Sequence, residues 1–374
     1  MTMEGGVIGD DRSVLGLANE NDPYGYLLVH FREDPNGYAE RIYFDLSDGD
    51  DPTRWVPLNG GKPVLTSSIG TTGVRDPHIT QNPETGTYYI IATDLRVFGG
   101  RPDDGANWYD WSHRGSTCLI VWESDDLVSW RGPRMLDMAR PVNRETPLEL
   151  GQAWACECLW VPDYYPVGHQ GGRGAFVMYW SSKLFSPDDH DHTEKSVHDT
   201  VLWGVTTDFS QEMYEYGGVF IDTGGDSIDT TMIQRPVGTG DSDAGATLRT
   251  YRITKDNTFG RGIWMDATDA PDWWEPDTPW RTIQTNIGDG YSDGHGLEGP
   301  AVFAGHGGNA DRWYLLVDVI PSVGYRPMVS DDLDVGWKLL GDAGFGLAPH
   351  TKHGGVLTLT RNSYECLRSG FPAI

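Results

Sequence analysis

The chain has 374 residues, 38% of them apolar, with 48 glycines, 23 prolines and 15 tryptophans, which describes a turn-rich, aromatic-rich globule and excludes a disordered chain. A formal net charge of -27 at pH 7 repels phosphate backbones and anionic lipid, so nucleic acid and membrane are set aside as partners. No stretch reaches the roughly 20 apolar residues of a spanning helix, and the opening MTMEGGVIGDDRS lacks the basic and apolar regions of a secretion signal. As written the chain reads as cytoplasmic, or as extracellular if it is a trimmed piece of a secreted parent.

After an N-terminal extension over residues 1–20, the first predicted strand is YGYLLVHF from Tyr24. It is followed by IYFDLSDGDDPTRW, a strand running into an acidic turn that closes on tryptophan. VRDPHI (74–79) precedes the next aromatic strand, GTYYIIATD from Gly86, and IVWESDDLVSW repeats the turn. WACECLWVPD (154–163) precedes GAFVMYWSS from Gly174, and LWGVTTDFSQEM follows with Met213 in the place of tryptophan. SIDTTMI (227–233) precedes LRTYRITKD from Leu248 and IWMDATDAPDWW; LEGPAVF (297–303) precedes DRWYLLVDV from Asp311 and MVSDDLDVGW. The closing KHGGVLTLT (352–360) reads as the missing first strand of the opening repeat. Five such units predict an all-β fold, a five-bladed β-propeller over 1–374 as a single catalytic domain, closed by pairing of the C-terminal strand with the N-terminal blade. Cys118, Cys156, Cys158 and Cys366 form no CxxC framework and read as free thiols.

In a propeller the first strand of each blade lines the central channel. Asp76, Glu157 or Asp163, Asp229, Glu298 and His353 are therefore predicted to converge on one axis. A single Asp or Glu beside Gly or Pro is ordinarily a turn or cap residue; recurrence at the same place in the repeat is what argues otherwise. Four carboxylates on one axis repel one another and lose solvation, a cost that chemistry or a bound cation would justify.

The sequence offers no nucleophilic Ser–His pair and no phosphate-binding glycine loop. Facing carboxylates without these suit glycosidic bond cleavage, which needs one protonated carboxyl for the leaving oxygen and one ionised carboxylate to activate water or attack carbon. Glu298, with the longer reach and apolar flanks, suits the acid; Asp76, after Arg75, suits the base. A sugar site also needs aromatic faces and polar groups in a concave pocket. The candidates are Trp108 and Trp111 in GANWYDWSHRG, which interrupts a blade hairpin, Trp154, Glu157, and Arg326 in GYRPM. The insert SPDDHDHTEKSVHD (186–199) carries His190, His192 and His198 without a spacing that fixes metal geometry, and reads as a solvated loop.

GVRDPHITQNPETGTYYIIATDLRVFG, IVWESDDLVSW, GDSIDTTMIQ with YRITKD, LEGPAVF, GYRPMVSDDL and KHGGVLTLT together resemble glycoside hydrolase family 43, particularly its arabinofuranosidase-like branch, over about residues 24 to 366. The resemblance implies an inverting five-bladed propeller enzyme. Asp76 matches the family's catalytic base, Asp229 the aspartate that tunes and orients the acid, and Glu298 the general acid. His353 matches a histidine that helps hold a hydrated calcium in the channel, through water, so a structural calcium is possible and no other cofactor is implied. Relatives carry WAPE or WAPD where this chain offers WACE (154–157) and WVPD (160–163); the context favours Glu157 and leaves Asp163 open. The expected substrate is a carbohydrate bearing α-L-arabinofuranosyl units. β-D-Galactofuranosidase and β-D-xylosidase are the neighbouring alternatives, and a non-catalytic carbohydrate-binding propeller is the alternative of another class. A protein-binding scaffold would show a large exposed apolar patch instead of a carboxylate cluster.

Overall fold

Strand β1 (Pro23–Arg32) shows why this chain builds blades. Side chains alternate across a strand: Tyr26 and Leu28 join a buried cluster with Leu316 and Tyr325, while Leu27 and Val29 join another with Ile90 and Trp122. Both faces are thus covered, which is why the strand reads as a nearly continuous apolar run.

The computed structural model describes residues 21–34, 40–99, 107–169, 172–238, 247–321, 323–341, 343–348 and 350–371; the predicted extension over 1–20 lies outside them. Five four-stranded antiparallel sheets follow one another. From inner to outer strand, the first holds β20 (Thr351–Thr360), β1, β2 (Tyr43–Asp48) and β3 (Asp51–Pro57), and the second β4 (Val74–Gln81), β5 (Tyr88–Asp94), β6 (Cys118–Ser124) and β7 (Trp130–Asp137). The third holds β8 (Trp154–Val161), β9 (Ala175–Lys183), β10 (Asp199–Thr206) and β11 (Glu215–Ile221); the fourth β12 (Ser227–Val237), β13 (Thr247–Asp256), β14 (Ile263–Thr268) and β15 (Arg281–Gln284). The fifth holds β16 (Gly296–Ala304), β17 (Trp313–Ile320), β18 (Gly324–Ser330) and β19 (Lys338–Leu339). Strands β4, β8, β12, β16 and β20 touch in succession around a ring. The fold is the predicted five-bladed propeller.

Five buried clusters fill the five wedges between neighbouring blades. Phe176, Met178 and Trp180 of β9 pack on the second blade, and Val177 and Tyr179 of the same strand pack on Trp264 and Trp273 of the fourth. The ring closes where β20 pairs with β1, with Leu27 opposite Leu357 and Leu28 opposite Val356. There Gly354 lies so close that a Cβ on it would stand 2.0 Å from the carbonyl oxygen of Val29.

The acidic turns are hydrogen-bonded devices. Asp126 Oδ1 accepts from the backbone N–H of Val128 at 2.9 Å, and the Trp130 indole donates to the Leu127 carbonyl at 3.0 Å. The carboxylate satisfies turn amides, and the ring seals the turn onto the blade.

Among the described residues there are two α-helices, besides short 3-10 turns. α1 (Trp108–Arg114) interrupts the β5–β6 hairpin, as GANWYDWSHRG predicts, with Asn107 capping the Tyr109 N–H. α2 (Arg361–Gly370) is capped by Thr360 and lays Tyr364 and Leu367 into the wedge between the first two blades.

Candidate active site

Four inner strands break register in the same manner. The ladder skips one residue between Arg75 and His78, Trp154 and Glu157, Ile228 and Thr231, and Glu298 and Ala301. The first residue of each bulge adopts a left-handed conformation, with φ of 48° at Asp76, 48° at Ala155, 51° at Asp229 and 53° at Gly299. For a non-glycine residue this costs roughly 1–2 kcal/mol, and Asp tolerates it better than most because its short carboxylate bonds locally. Bulges bend a strand and re-aim its side chains, and here they turn the acids into the channel mouth.

The bulges correct one expectation. The carboxylates do not recur at one place in the repeat: Asp76 and Asp229 occupy the first bulge position, Glu298 stands one residue before it, and Glu157 two residues after it. The position of Glu298 is held by Arg75, Trp154 and Ile228 in the other three blades. One extra residue reverses which side chain faces inward, so sequence spacing alone suggests an equivalence that the register does not keep.

A relay of hydrogen bonds ties the bulges together. Thr93 Oγ1 donates to Asp76 Oδ2 at 2.9 Å and accepts from the Ala155 N–H at 2.8 Å. Ser181, which holds the rank of Thr93 in the third blade, accepts from the Asp229 N–H at 3.2 Å. Lys255 takes that rank in the fourth blade, and there the Asp229 carboxylate itself accepts the next amide, Gly299 N–H, at 3.1 Å. Asp229 is thereby fixed beside the strand that carries Glu298.

His353 stands in the middle. Its Nδ1 lies 3.5 Å from Asp76 Oδ1 and 4.0 Å from Asp229 Oδ1, and its Nε2 lies 3.9 Å from Glu157 Oε1. Glu157 also accepts from Thr231 Oγ1 at 2.9 Å and lies 3.6 Å from His78 Nδ1. Asp163, the alternative to Glu157, is 70% exposed and pairs with Arg173 at 2.9 Å; it falls two residues beyond the end of β8 and is not in the channel. The ring nitrogens of His353 face carboxylates, and among the described residues no group of three or more His, Cys, Asp or Glu side chains is arranged to hold a metal ion. With both ring nitrogens turned to carboxylates, the imidazole is no direct calcium ligand, and the resemblance implies only an ion held through water. In the insert, His190 and His192 both bond Glu149, and His198 bonds Asp222.

Charge separates the acids. Burial works against ionisation of Asp76, but the hydrogen bond and charge of His353, with Arg75 and Thr93, hold its carboxyl below the usual range. His353 is held well above the ordinary imidazole value, its burial outweighed by Asp76, Glu157 and Asp229. Burial, and then the charge of Asp76, raise Asp229. Glu298 is pushed up to about 8 by burial, then by Asp229 and Asp318, against the pull of Lys352 and Arg75. One carboxylate kept ionised beside another kept protonated is the requirement for acid–base catalysis at one bond.

Aromatic residues border this mouth. Trp108 is 54% exposed, its ring centroid 5.1 Å from that of Trp111 and 6.2 Å from that of Trp154, both contacts edge-on. The guanidinium of Arg75, next to Asp76 in sequence, lies 5.8 Å from the Trp108 ring. Arg326 lies on β18 opposite Val317, Nη1 donating to the Tyr325 carbonyl at 2.8 Å. Sequence reasoning did not single out Thr93, His78, or the buried ion pairs of Arg75 with Glu33 and Glu40. The one available signal was a charged residue inside an apolar strand, as with Asp318 in LLVDV.

Carboxylates brought together by the inner strands of a five-bladed propeller suit glycosidic bond cleavage, and the family model places the chain among the glycoside hydrolases. The chain belongs to the family described as probable glycosyl hydrolase domain, a relative of glycoside hydrolase family 43, whose model matches residues 22–365. It is 27% identical over 283 residues to an α-L-arabinofuranosidase of Bifidobacterium longum subsp. longum, a match covering 70% of this chain and 24% of that protein. The chain thus spans about a quarter of the length of that curated relative. Among solved structures, it is similar to a thermostable family-43 glycoside hydrolase (17% identity, 74% of this chain and 75% of the other, TM-score 0.44). It is also similar to an α-L-arabinofuranosidase from Lactobacillus brevis (14% identity, 77% and 75%, TM-score 0.44).

Proposed function

We propose that the protein is an inverting exo-glycosidase that releases α-L-arabinofuranosyl units from arabinose-containing poly- or oligosaccharides. The observation that carries this reading is the opposite electrostatic treatment of Asp76 and Glu298 at one channel mouth. Asp76, kept charged by His353 and Arg75, takes a proton from water as it attacks the anomeric carbon. Glu298, kept protonated by burial and by Asp229, gives its proton to the departing glycosidic oxygen. Asp229, anchored through Gly299, acts on Glu298 without touching the reacting bond. The geometry of inversion requires room for one water, with carboxyls about 6.5 to 9.5 Å apart. Trp108, with Trp111 and Trp154 behind it, offers the apolar face on which a sugar ring stacks. The similarity to the Bifidobacterium arabinofuranosidase favours arabinofuranose as the glycone over β-D-galactofuranose and β-D-xylopyranose.

The test is hydrolysis of 4-nitrophenyl α-L-arabinofuranoside, β-D-galactofuranoside and β-D-xylopyranoside by wild type and Glu298→Gln. Turnover of the arabinofuranoside, lost in the variant, is expected. Preference for another sugar moves the glycone assignment, and sugar binding without any turnover replaces the enzyme by a lectin.

A further inference from the structure

Behind Glu298 lies a buried ion pair that the acid–base reading leaves unused. Asp318 stands directly opposite Glu298 in the β16–β17 ladder, and residues so placed share a face with Cβ atoms about 5 Å apart. Its Oδ1 lies 3.3 Å from Lys352 Nζ, both side chains being 2% exposed. Lys352 also lies 3.6 Å from Glu33 Oε2, and Glu33 Oε1 lies 2.8 Å from Arg75 Nη2.

We propose that Asp318 is a positioning residue for the reaction, which neutralises Lys352 so that this buried cation does not strip the proton from Glu298. The inference rests on the acid role given to Glu298 above. A buried ammonium without a counter-ion is costly and stabilises any carboxylate within reach; with Asp318 beside it, the pair presents no net charge to Glu298. The other charged groups acting on the acid are Asp229 from β12, which raises it, and Arg75 from β4, which lowers it; His353 from β20 and Asp76 from β4 stand beyond Asp229, and Glu33 beyond Arg75. Arg252 and Asp266 of β13 and β14 pair with each other at 3.1 Å, and the Tyr325 hydroxyl of β18 is bonded to Gly354. Asp318 works in the same direction on Glu298 as Asp229 does, and Lys352 in the opposite one. Asp318 is itself raised to about 6 by burial, opposed chiefly by Lys352.

The experiment is the pH dependence of kcat/KM on whichever aryl glycoside the wild type cleaves. Asp318→Asn leaves Lys352 with only the longer contact to Glu33, a carboxylate that Arg75 shares, and the alkaline limb is expected to fall by about one pH unit or more. Asp318→Asn with Lys352→Met removes both charges and returns the limb to within about half a unit, and Asp318→Glu keeps it. A limb unmoved in Asp318→Asn, or moved and not restored in the double variant, overturns the proposal. If Asp318→Asn does not fold, the double variant decides alone, a displaced limb counting against the idea. If the wild type cleaves no glycoside, the proposed function fails. The 13C-carboxyl titration of Glu298 in wild type and the double variant then judges this inference by itself, the same midpoint supporting it and a displaced one overturning it.

Discussion

His353 Nδ1 stands 3.5 Å from Asp76 Oδ1, joining the strand that closes the ring to the strand that carries the proposed base. In the proposed mechanism this partnership is expected to set the acid limb of the pH profile. With His353 present, Asp76 stays ionised below the usual carboxylate range; without the cation, burial prevails and the carboxyl binds its proton at higher pH. His353→Gln is expected to move the acid limb of kcat/KM upward by about one pH unit or more, and a limb that stays in place removes the imidazole from this role.

Removing either proposed catalytic carboxyl is expected to lower kcat by about 10²–10⁴. Glu298→Gln should spare substrates whose leaving group needs no proton, such as a dinitrophenyl glycoside, whereas Asp76→Asn should slow all of them. Equal losses on both leaving groups in Glu298→Gln contradict the acid assignment.

The same raised carboxyl makes a stability prediction. Glu298 binds its proton up to about pH 8 in the folded chain and releases it near 4.5 when unfolded, so between these values the native state holds the extra proton. Stability from this group therefore falls as pH rises through the window. Glu298→Gln carries no such charge, and its melting temperature relative to wild type should increase from pH 5 to pH 9. A constant difference between the two would mean that Glu298 titrates normally.

Trp108 is exposed while its neighbours Trp111 and Trp154 are half-buried. Trp108→Ala is expected to change stability by about 0.5 kcal/mol or less while raising KM several-fold on oligosaccharides. If KM is unchanged while stability drops by more than about 2 kcal/mol, the ring is a packing element.

Closure of the ring depends on Gly354, where an added Cβ meets the Val29 carbonyl. Gly354→Ala is expected to destabilise by roughly 1–3 kcal/mol and to lower activity, since it shifts the strand holding Lys352 and His353. Chemical denaturation with the activity assay on the folded fraction separates the two effects.

Much of this architecture is legible in the chain because its information is local. Repeated aromatic strands, acidic turns capped by their own carboxylates, and an orphan C-terminal strand are patterns of period two and of turn chemistry, which need no distant partner to be read. The same logic places Asp76, Asp229 and Glu298 on inner strands. What the sequence could not give was register: Glu157 and Asp163 are six residues apart in one segment, yet one faces His353 and the other pairs with Arg173 in solvent.

The sequence by itself determined the number of blades, the order of strands and the residue types available for chemistry, because these follow from apolar periodicity and turn residues along the chain. Only the tertiary structure decided which carboxylates meet. A single inserted residue in each of β4, β8, β12 and β16 turns side chains inward, and the charges that hold Asp76 ionised and Glu298 protonated come from Arg75, His353, Asp229 and Asp318, which lie on four different blades and are neighbours only once the ring is closed.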